Sequence, residues 1–211
     1  MLFFKPEERD RTLFPHDPFK GMIVPRPVGW ISTMNAAGQV NLAPYSYFNA
    51  FSSVPMIVGF SSEGEKDSAA FAMESGEFAW SMATYPQREQ MNATAAPLAR
   101  GESEFRHAAL EQAPSRLVRP PRVASSPAAL ECKVTQVVKL TGVDGESISR
   151  TLVLGQVVGI HVDERFLRNG RLDAVAMQAI ARCGYDEYTV IDRVFTMPRP
   201  AGGGNAFGGS G

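Results

Sequence analysis

Residues 25–62 read PRPVGWISTMNAAGQVNLAPYSYFNAFSSVPMIVGFSS, and this stretch decides the fold. Within it VGWIST (28–33) alternates along the chain and is rich in β-formers. Asn35-Ala36-Ala37-Gly38 supplies turn residues, and VNLA (40–43) resumes the extended pattern, so the two runs make a hairpin. MIVGF (56–60) is a short apolar run of the kind that forms a buried strand. Trp30, in this stretch, and Trp80 further on lie in strand-like runs and read as core aromatics.

Outward from this stretch the texture changes. Asp67 or Ser68 can cap a helix through AAFAMES, which Gly76 ends. FAWSMA (78–83) returns to strand. Thr84 with Gln87 resembles a capping box, and Pro86 suits a first turn, which predicts a second helix through about Thr94. Residues 95–127 form a long excursion rich in Pro, Ser and Arg. Two long strands follow, at about 129–141 and 150–163, joined across 141–145. On the second, Leu152, Leu154, Val158, Ile160 and Val162 share one face and are expected to pack on the core. Thr151, Gly155, Gly159, His161 and Asp163 share the other, where glycine admits close approach. Antiparallel strands at short spacing with few helices predict a mainly β chain, a β-barrel with inserted helices, rather than a doubly wound sheet. Residues 1–197 read as one domain with an N-terminal extension, and 198–211 as a Gly/Pro-rich tail, disordered on its own.

Composition narrows the function. The chain has 211 residues, net charge −1 and 44% hydrophobic residues, enough for one core and without the basic stripe of a nucleic-acid binder. No apolar run approaches the roughly 20 residues that span a bilayer. The opening MLFFKPEERD lacks the order of a signal peptide, which predicts a cytoplasmic protein. Cys132 and Cys183 have no metal or disulfide spacing and read as small apolar residues. No two of the three histidines have ligand spacing, and no metal is expected.

Between Pro25 and Ser68 small hydroxyl and amide side chains accumulate: Ser32, Thr33, Asn41, Ser46, Asn49, Ser52, Ser53, Ser61 and Ser62. Lys66, Asp67 and Ser68 then open a helix. Helix N-termini carry unpaired N–H groups and a positive dipole end, and a lysine beside them adds a point charge for phosphate. Two readings stand on these residues alone: a hairpin with Ser-rich turns and an ordinary cap, or a site for a phosphorylated heterocycle. There is no Walker-type loop and no strand–GxGxxG–helix unit.

The run 25–62 resembles the flavin-reductase-like family of FMN-binding split barrels. EKDSAAF, SGEFAWSM, QMNATAAPL, PSRLVRPPRVASSPAALEC, LVLGQVVGIHVD and IARCGYDEY continue the resemblance in order over roughly residues 20–192. It implies a homodimeric, six-stranded split β-barrel with FMN at the dimer interface. It places Ser32, Thr33, Ser46, Asn49 and Ser52 beside the flavin and ribityl chain. Ser61, Lys66 and Ser68 would hold the phosphate, with Asp67 capping the helix. It departs from the family at Arg182-Cys183-Gly184-Tyr185, where Tyr185 stands in place of an expected glycine.

The activity so implied is that of an NAD(P)H-dependent flavin reductase, passing hydride from nicotinamide to flavin, with a flavin-using monooxygenase as one acceptor. A non-reductase FMN protein for electron transfer, carriage or sensing is the alternative. Hydride exchange belongs to the cofactors, so no triad or paired carboxylates are needed. His161, facing the glycine side of its strand, is either a satisfied structural histidine or a substrate contact. Arg182 is a candidate support for the cofactor, the substrate or the dimer. Arg116, Arg119 and Arg122 flank Pro120-Pro121 and read as a solvated loop or a phosphate reader. His16 and His107 read as surface residues.

Overall fold

The structure, a computed structural model, describes residues 1–64, 66–99, 102–198 and 200. The tail predicted from Pro198 lies almost wholly outside the described residues. β1 (Gly29–Met34) and β2 (Val40–Tyr45) form the expected hairpin, with Gly29 opposite Tyr45 and Met34 opposite Val40. Gly38 closes its turn at φ +81°, a conformation only glycine takes readily. β3 (Phe48–Ser53) and β4 (Met56–Glu63) form the next hairpin. α1 (Asp67–Ser75) follows and ends on Gly76 at φ +71°, as the sequence predicts. β5 (Glu77–Ser81) leads to a 3-10 turn at Tyr85–Gln87 and to α2 (Arg88–Ala93). The long strands are β6 (Ala128–Thr141) and β7 (Ser147–Val162).

These strands form one seven-stranded sheet in the order β2-β1-β5-β6-β7-β4-β3. The two edge strands, β2 and β3, are consecutive in the chain. The extended run from Val40 to Ser53 bends at Ser46-Tyr47, leaves one edge and returns at the other. This brings the sheet round into a barrel and raises the strand count from the implied six to seven. Ser61 N–H donates to the Tyr47 carbonyl at 2.8 Å across that bend. The excursion 95–127 is ordered around a helical turn at Glu104–His107 and a short ladder of Gln112–Ala113 with Arg122–Val123. A three-stranded sheet of Arg26–Pro27, Ile180–Arg182 and Tyr188–Val190 joins the chain's two ends.

The core has two parts because β1 is buried on both faces. Ile31 points into the barrel with Phe60, Phe78, Cys132 and Val153, while Trp30 points outward among Leu42, Met91, Phe105 and Val123. Both tryptophans serve the core. The Trp30 indole N–H donates to Thr94 Oγ1 at 3.0 Å, and Trp80 stacks on Phe48 and donates to the Val28 carbonyl. Burial pushes the Cys132 thiol well up, so it behaves as a small apolar residue.

The expected inner face of β7 is corrected. Thr151, Val153, Gly155 and Val157 are buried, whereas Leu152 and Leu154 are half-buried and Ile160 is 55% exposed. The barrel interior is too narrow for large side chains from every strand. Phe78 takes the space at Gly155, where a Cβ would lie 2.4 Å from its ring. Beyond a bulge between Val157 and Gly159 the faces of β7 swap, and Gly159 lies against Glu131, which points away from the barrel core on the other side from Cys132; a Cβ at Gly159 would lie 3.3 Å from that side chain. The apolar face of β7 therefore turns outward, beside exposed Phe51, Val54 and Met56 of the β3–β4 hairpin.

Candidate functional site

Where the sheet closes, the bend at Ser46-Tyr47 meets the start of α1 and opens a cleft of about 550 Å³. Tyr45, Ser46 and Tyr47 line one side, Ser61 and Glu63 the end of β4, and Lys66, Asp67 and Ser68 the helix entry. A second cavity of about 780 Å³ adjoins it and shares Lys20, Pro44, Tyr45, Ser46 and Ala95. His16, Asp17, Arg26, Arg182, Tyr185 and Tyr188 also line it. Both volumes fall in the roughly 300–1,000 Å³ range of small-molecule sites.

The helix entry is corrected in detail. Lys66, not Asp67 or Ser68, is the N-cap residue, extended at φ −91°, ψ 148°, and its side chain makes no cap hydrogen bond among the described residues. The Ser68 hydroxyl instead donates to Asn41 Oδ1 at 2.5 Å. Asn41 Nδ2 donates to Glu104 Oε1 at 2.9 Å, and Glu104 Oε2 accepts the Leu42 N–H at 3.0 Å. This buried chain fixes α1 against β2. Burial pushes the Glu104 carboxyl up, against the hydrogen bonds from Leu42 and Asn41 that pull it down. The start of α1 thus lies at the cleft with Lys66, Asp67 and Ser68 in its lining.

The other groups at this end suit an anion. Ser61 Oγ is buried and has no hydrogen-bond partner among the described residues. Lys66 is exposed at the mouth. Arg150 reaches the same cleft from β7, held by Glu63 at 2.8 Å and lying over the Tyr47 ring at 5.3 Å. Sequence reading missed Arg150, since only the pairing of Arg150 with Glu63 across β7 and β4 brings it there. It also missed Asn41 and Glu104 as a pair, and Lys20 at the junction of the two cavities.

The remaining predicted residues are distributed as follows. Ser46 lines both cavities. Ser32 and Thr33 are fully buried in β1, outside the cleft lining, and their hydroxyls have no partner among the described residues. Asn49 and Ser52 sit on edge strand β3, also outside the cleft lining, and accept the Ala50 and Val54 N–H groups. Arg182 lines the second cavity, bonded to Tyr188 Oη at 2.7 Å and to the Tyr185 carbonyl.

His161 meets Glu131 at 2.5 Å, away from both cavities. Glu131 is 1% exposed and also accepts the N–H groups of Arg116, Leu117 and Val118. Burial alone would raise its carboxyl, but the His161 hydrogen bond and these N–H groups hold it below the ordinary glutamate range. That arrangement favours the structural reading of His161. It also ties down the arginine-bearing loop, where Arg119 pairs with Glu77 at 3.5 Å. His107 is exposed. Among the described residues no helix is long and apolar enough to cross a membrane.

A fold of this kind recurs in known proteins. The family model described as "Flavin reductase like domain" matches residues 21–175. An uncharacterized protein of Halalkalibacterium halodurans, BH2278, is 34% identical over 185 residues, covering 85% of this chain and 88% of its own length. The crystal structure of nitrilotriacetate monooxygenase component B from Bacillus cereus superposes with TM-score 0.85 at 30% identity, over 93% of this chain and 98% of that one. A split-barrel protein from Shewanella frigidimarina superposes with TM-score 0.82 at 21% identity, over 95% and 100% of the two chains. Sequence motifs, barrel and cleft agree, and the chain belongs to the flavin reductase-like family.

Proposed function

We propose that this protein is an FMN-binding, NAD(P)H-dependent flavin reductase, working in the cytoplasm as a homodimer. The observation that carries the reading is the donor set at the helix entry. The N-terminus of α1, the orphaned Ser61 hydroxyl, Lys66 and Arg150 converge on one cleft. A phosphate ester suits all four, because it supplies the acceptor that Ser61 lacks and a negative charge for the helix start and the two cations. Ser68 and Asp67 act there chiefly through their backbone N–H groups, since the Ser68 hydroxyl is engaged by Asn41. Ser46, at the junction of the cavities, suits the ribityl chain and ring.

A flavin held in this cleft would supply the redox chemistry, with nicotinamide as the hydride donor. The chain's residues orient it and exclude water; the glutamates described, Glu104 and Glu131, are spent on structure. The outward apolar face of β7 and the β3–β4 hairpin supports a homodimer. Asn49 and Ser52, on edge strand β3, would then contribute from the subunit boundary, with Ser32 and Thr33 buried in β1 behind them. The likeness to a protein called component B of a monooxygenase supports a role as the reductase half of a two-component oxygenase.

Anaerobic mixing with NADH and, separately, NADPH tests the reading. Rapid bleaching of the flavin absorbance with either donor is expected. A flavin-loaded protein that neither donor bleaches would refute the reductase and leave an FMN-binding electron carrier or sensor. Sedimentation reports the dimer in the same preparation.

A further inference from the structure

The segment from His16 to Arg26 builds one wall of the 780 Å³ cavity, and the way it is fastened points to a role. Asp17 Oδ1 accepts the Phe19 N–H at 3.0 Å and shapes a helical turn at Phe19–Met22. Arg26, 8% exposed, donates to the carbonyls of Lys20, Ile23 and Cys183, which ties the segment to the strand Ile180–Arg182. Gly184 and Gly21 meet backbone to backbone, since a Cβ on Gly184 would lie 2.8 Å from Gly21 Cα. Beside them Tyr185 holds φ +56°, a costly conformation for a tyrosine, and its ring lies 5.3 Å from that of His16.

This wall presents two groups without protein partners. The Arg26 Nε–H is buried with no acceptor among the described residues, and Arg26 lines the cavity. Lys20 has no ion pair or side-chain hydrogen bond among the described residues and lines both cavities. Arg182, by contrast, is engaged by Tyr188, Tyr185 and Asp186. A buried donor and a free ammonium on one wall both call for an anion.

We infer that the His16–Arg26 wall is the specificity element for the second substrate, and that Lys20 and Arg26 take an anionic group of that substrate beside the cofactor cleft. The inference rests on the proposed reductase function and deepens it. The shared chemistry is a phosphate or carboxylate oxygen, whether of a nicotinamide dinucleotide or of a small organic acid. Tyr185, where the family resemblance expects glycine, braces the wall through His16 and Gly21.

Calorimetric titration of the flavin-loaded full chain with NAD⁺, and separately with benzoate, distinguishes the two sources. Binding of at least one is expected to weaken about tenfold in Lys20→Ala, in line with loss of one charge-assisted bond. Lys20→Arg should restore most of it, and the salt dependence of binding should flatten in Lys20→Ala alone. Tyr185→Gly should release the wall, giving proteolytic cleavage near residue 20 and the same loss of affinity with flavin retained. Unchanged affinity and unchanged salt dependence in Lys20→Ala for both probes overturns the inference. So does the absence of binding by either probe to the wild type. The flavin absorbance recorded alongside reports the functional reading separately. A chain that takes up no flavin fails that reading, and titration of the flavin-free chain, wild type against Lys20→Ala, still decides this one.

Discussion

Replacing Ser61 with alanine should move stability and ligand affinity in opposite directions. Ser61 Oγ is buried and has no hydrogen-bond partner among the described residues. A buried hydroxyl left without a partner costs about 1–3 kcal/mol, whereas deleting one oxygen opens only a small void. The net gain for the flavin-free protein is taken as about 1 kcal/mol. For a chain of this size that raises the thermal midpoint by about 2–4 °C. The phosphate is expected to accept from the same hydroxyl, and a hydrogen bond to a charged group contributes about 1.5–3 kcal/mol. FMN affinity should then fall about tenfold to a hundredfold, while riboflavin affinity stays nearly constant. Differential scanning calorimetry of the flavin-free protein gives the first quantity, and fluorescence titration with both flavins the second. A lower midpoint for Ser61→Ala would mean that the hydroxyl is already satisfied. Equal losses for FMN and riboflavin would move the phosphate away from β4 and α1.

Three further outcomes follow from other parts of the structure. Lys66→Ala should weaken FMN several-fold more than riboflavin at low ionic strength, and added salt should shrink the difference, because Lys66 is exposed. The two buried glutamates should have opposite pH signatures in urea unfolding. Glu131 is held below its ordinary value of 4.5, so its contribution is present above that pH and lost as pH falls through its folded value; Glu131→Gln should cost about 3 kcal/mol at neutral pH and remove this dependence. Glu104 is raised above 4.5, so it erodes stability as pH rises from 4.5 through its folded value, and Glu104→Gln should abolish that slope. Gly155→Ala should cost at least about 1–3 kcal/mol, since its methyl would lie 2.4 Å from the Phe78 ring; a protein of unchanged stability would show that the barrel interior is looser than described.

Much of the fold was legible because its signals are local. The turn at Asn35–Gly38, the stop at Gly76 and the alternation through Trp30 and Ile31 each depend on neighbours in the chain. That Ser61 and Lys66–Ser68 line one cleft was legible for the same reason, since they bracket one strand-to-helix turn. Two kinds of feature were not. The cap at α1 was misassigned because Ser68 has a stronger claim on it from Asn41, 27 residues away. The inner face of β7 was misassigned because hydrophobicity marks burial but not which partner buries it. Gly155 faces the barrel interior and Leu154 faces out, and a bulge between Val157 and Gly159 then swaps the faces, which no alternation in the sequence announces. Arg150 and Lys20 carry no motif at all, and only the closed barrel and the fastened N-terminal segment bring them to the cavities.

The two buried glutamates explain why a site so rich in polar groups can lack acid–base machinery. Glu104 receives Asn41 and Leu42 and so positions Ser68 and the start of α1. Glu131 receives His161 and three consecutive backbone N–H groups and so positions the 115–119 loop. Each carboxylate has its acceptor oxygens occupied by donors of the fold, which removes it as a base for a bound ligand. Among the described residues the donors without partners at the cavities include the Ser61 hydroxyl, the Arg26 Nε–H and the Lys20 ammonium, and the carboxylates Asp17, Glu63, Asp67, Asp186 and Glu187 line the same cavities. Donors of this kind suit an anionic group on the ligand. Chemistry in such a cleft has to be brought by what it binds, which is what a flavin does.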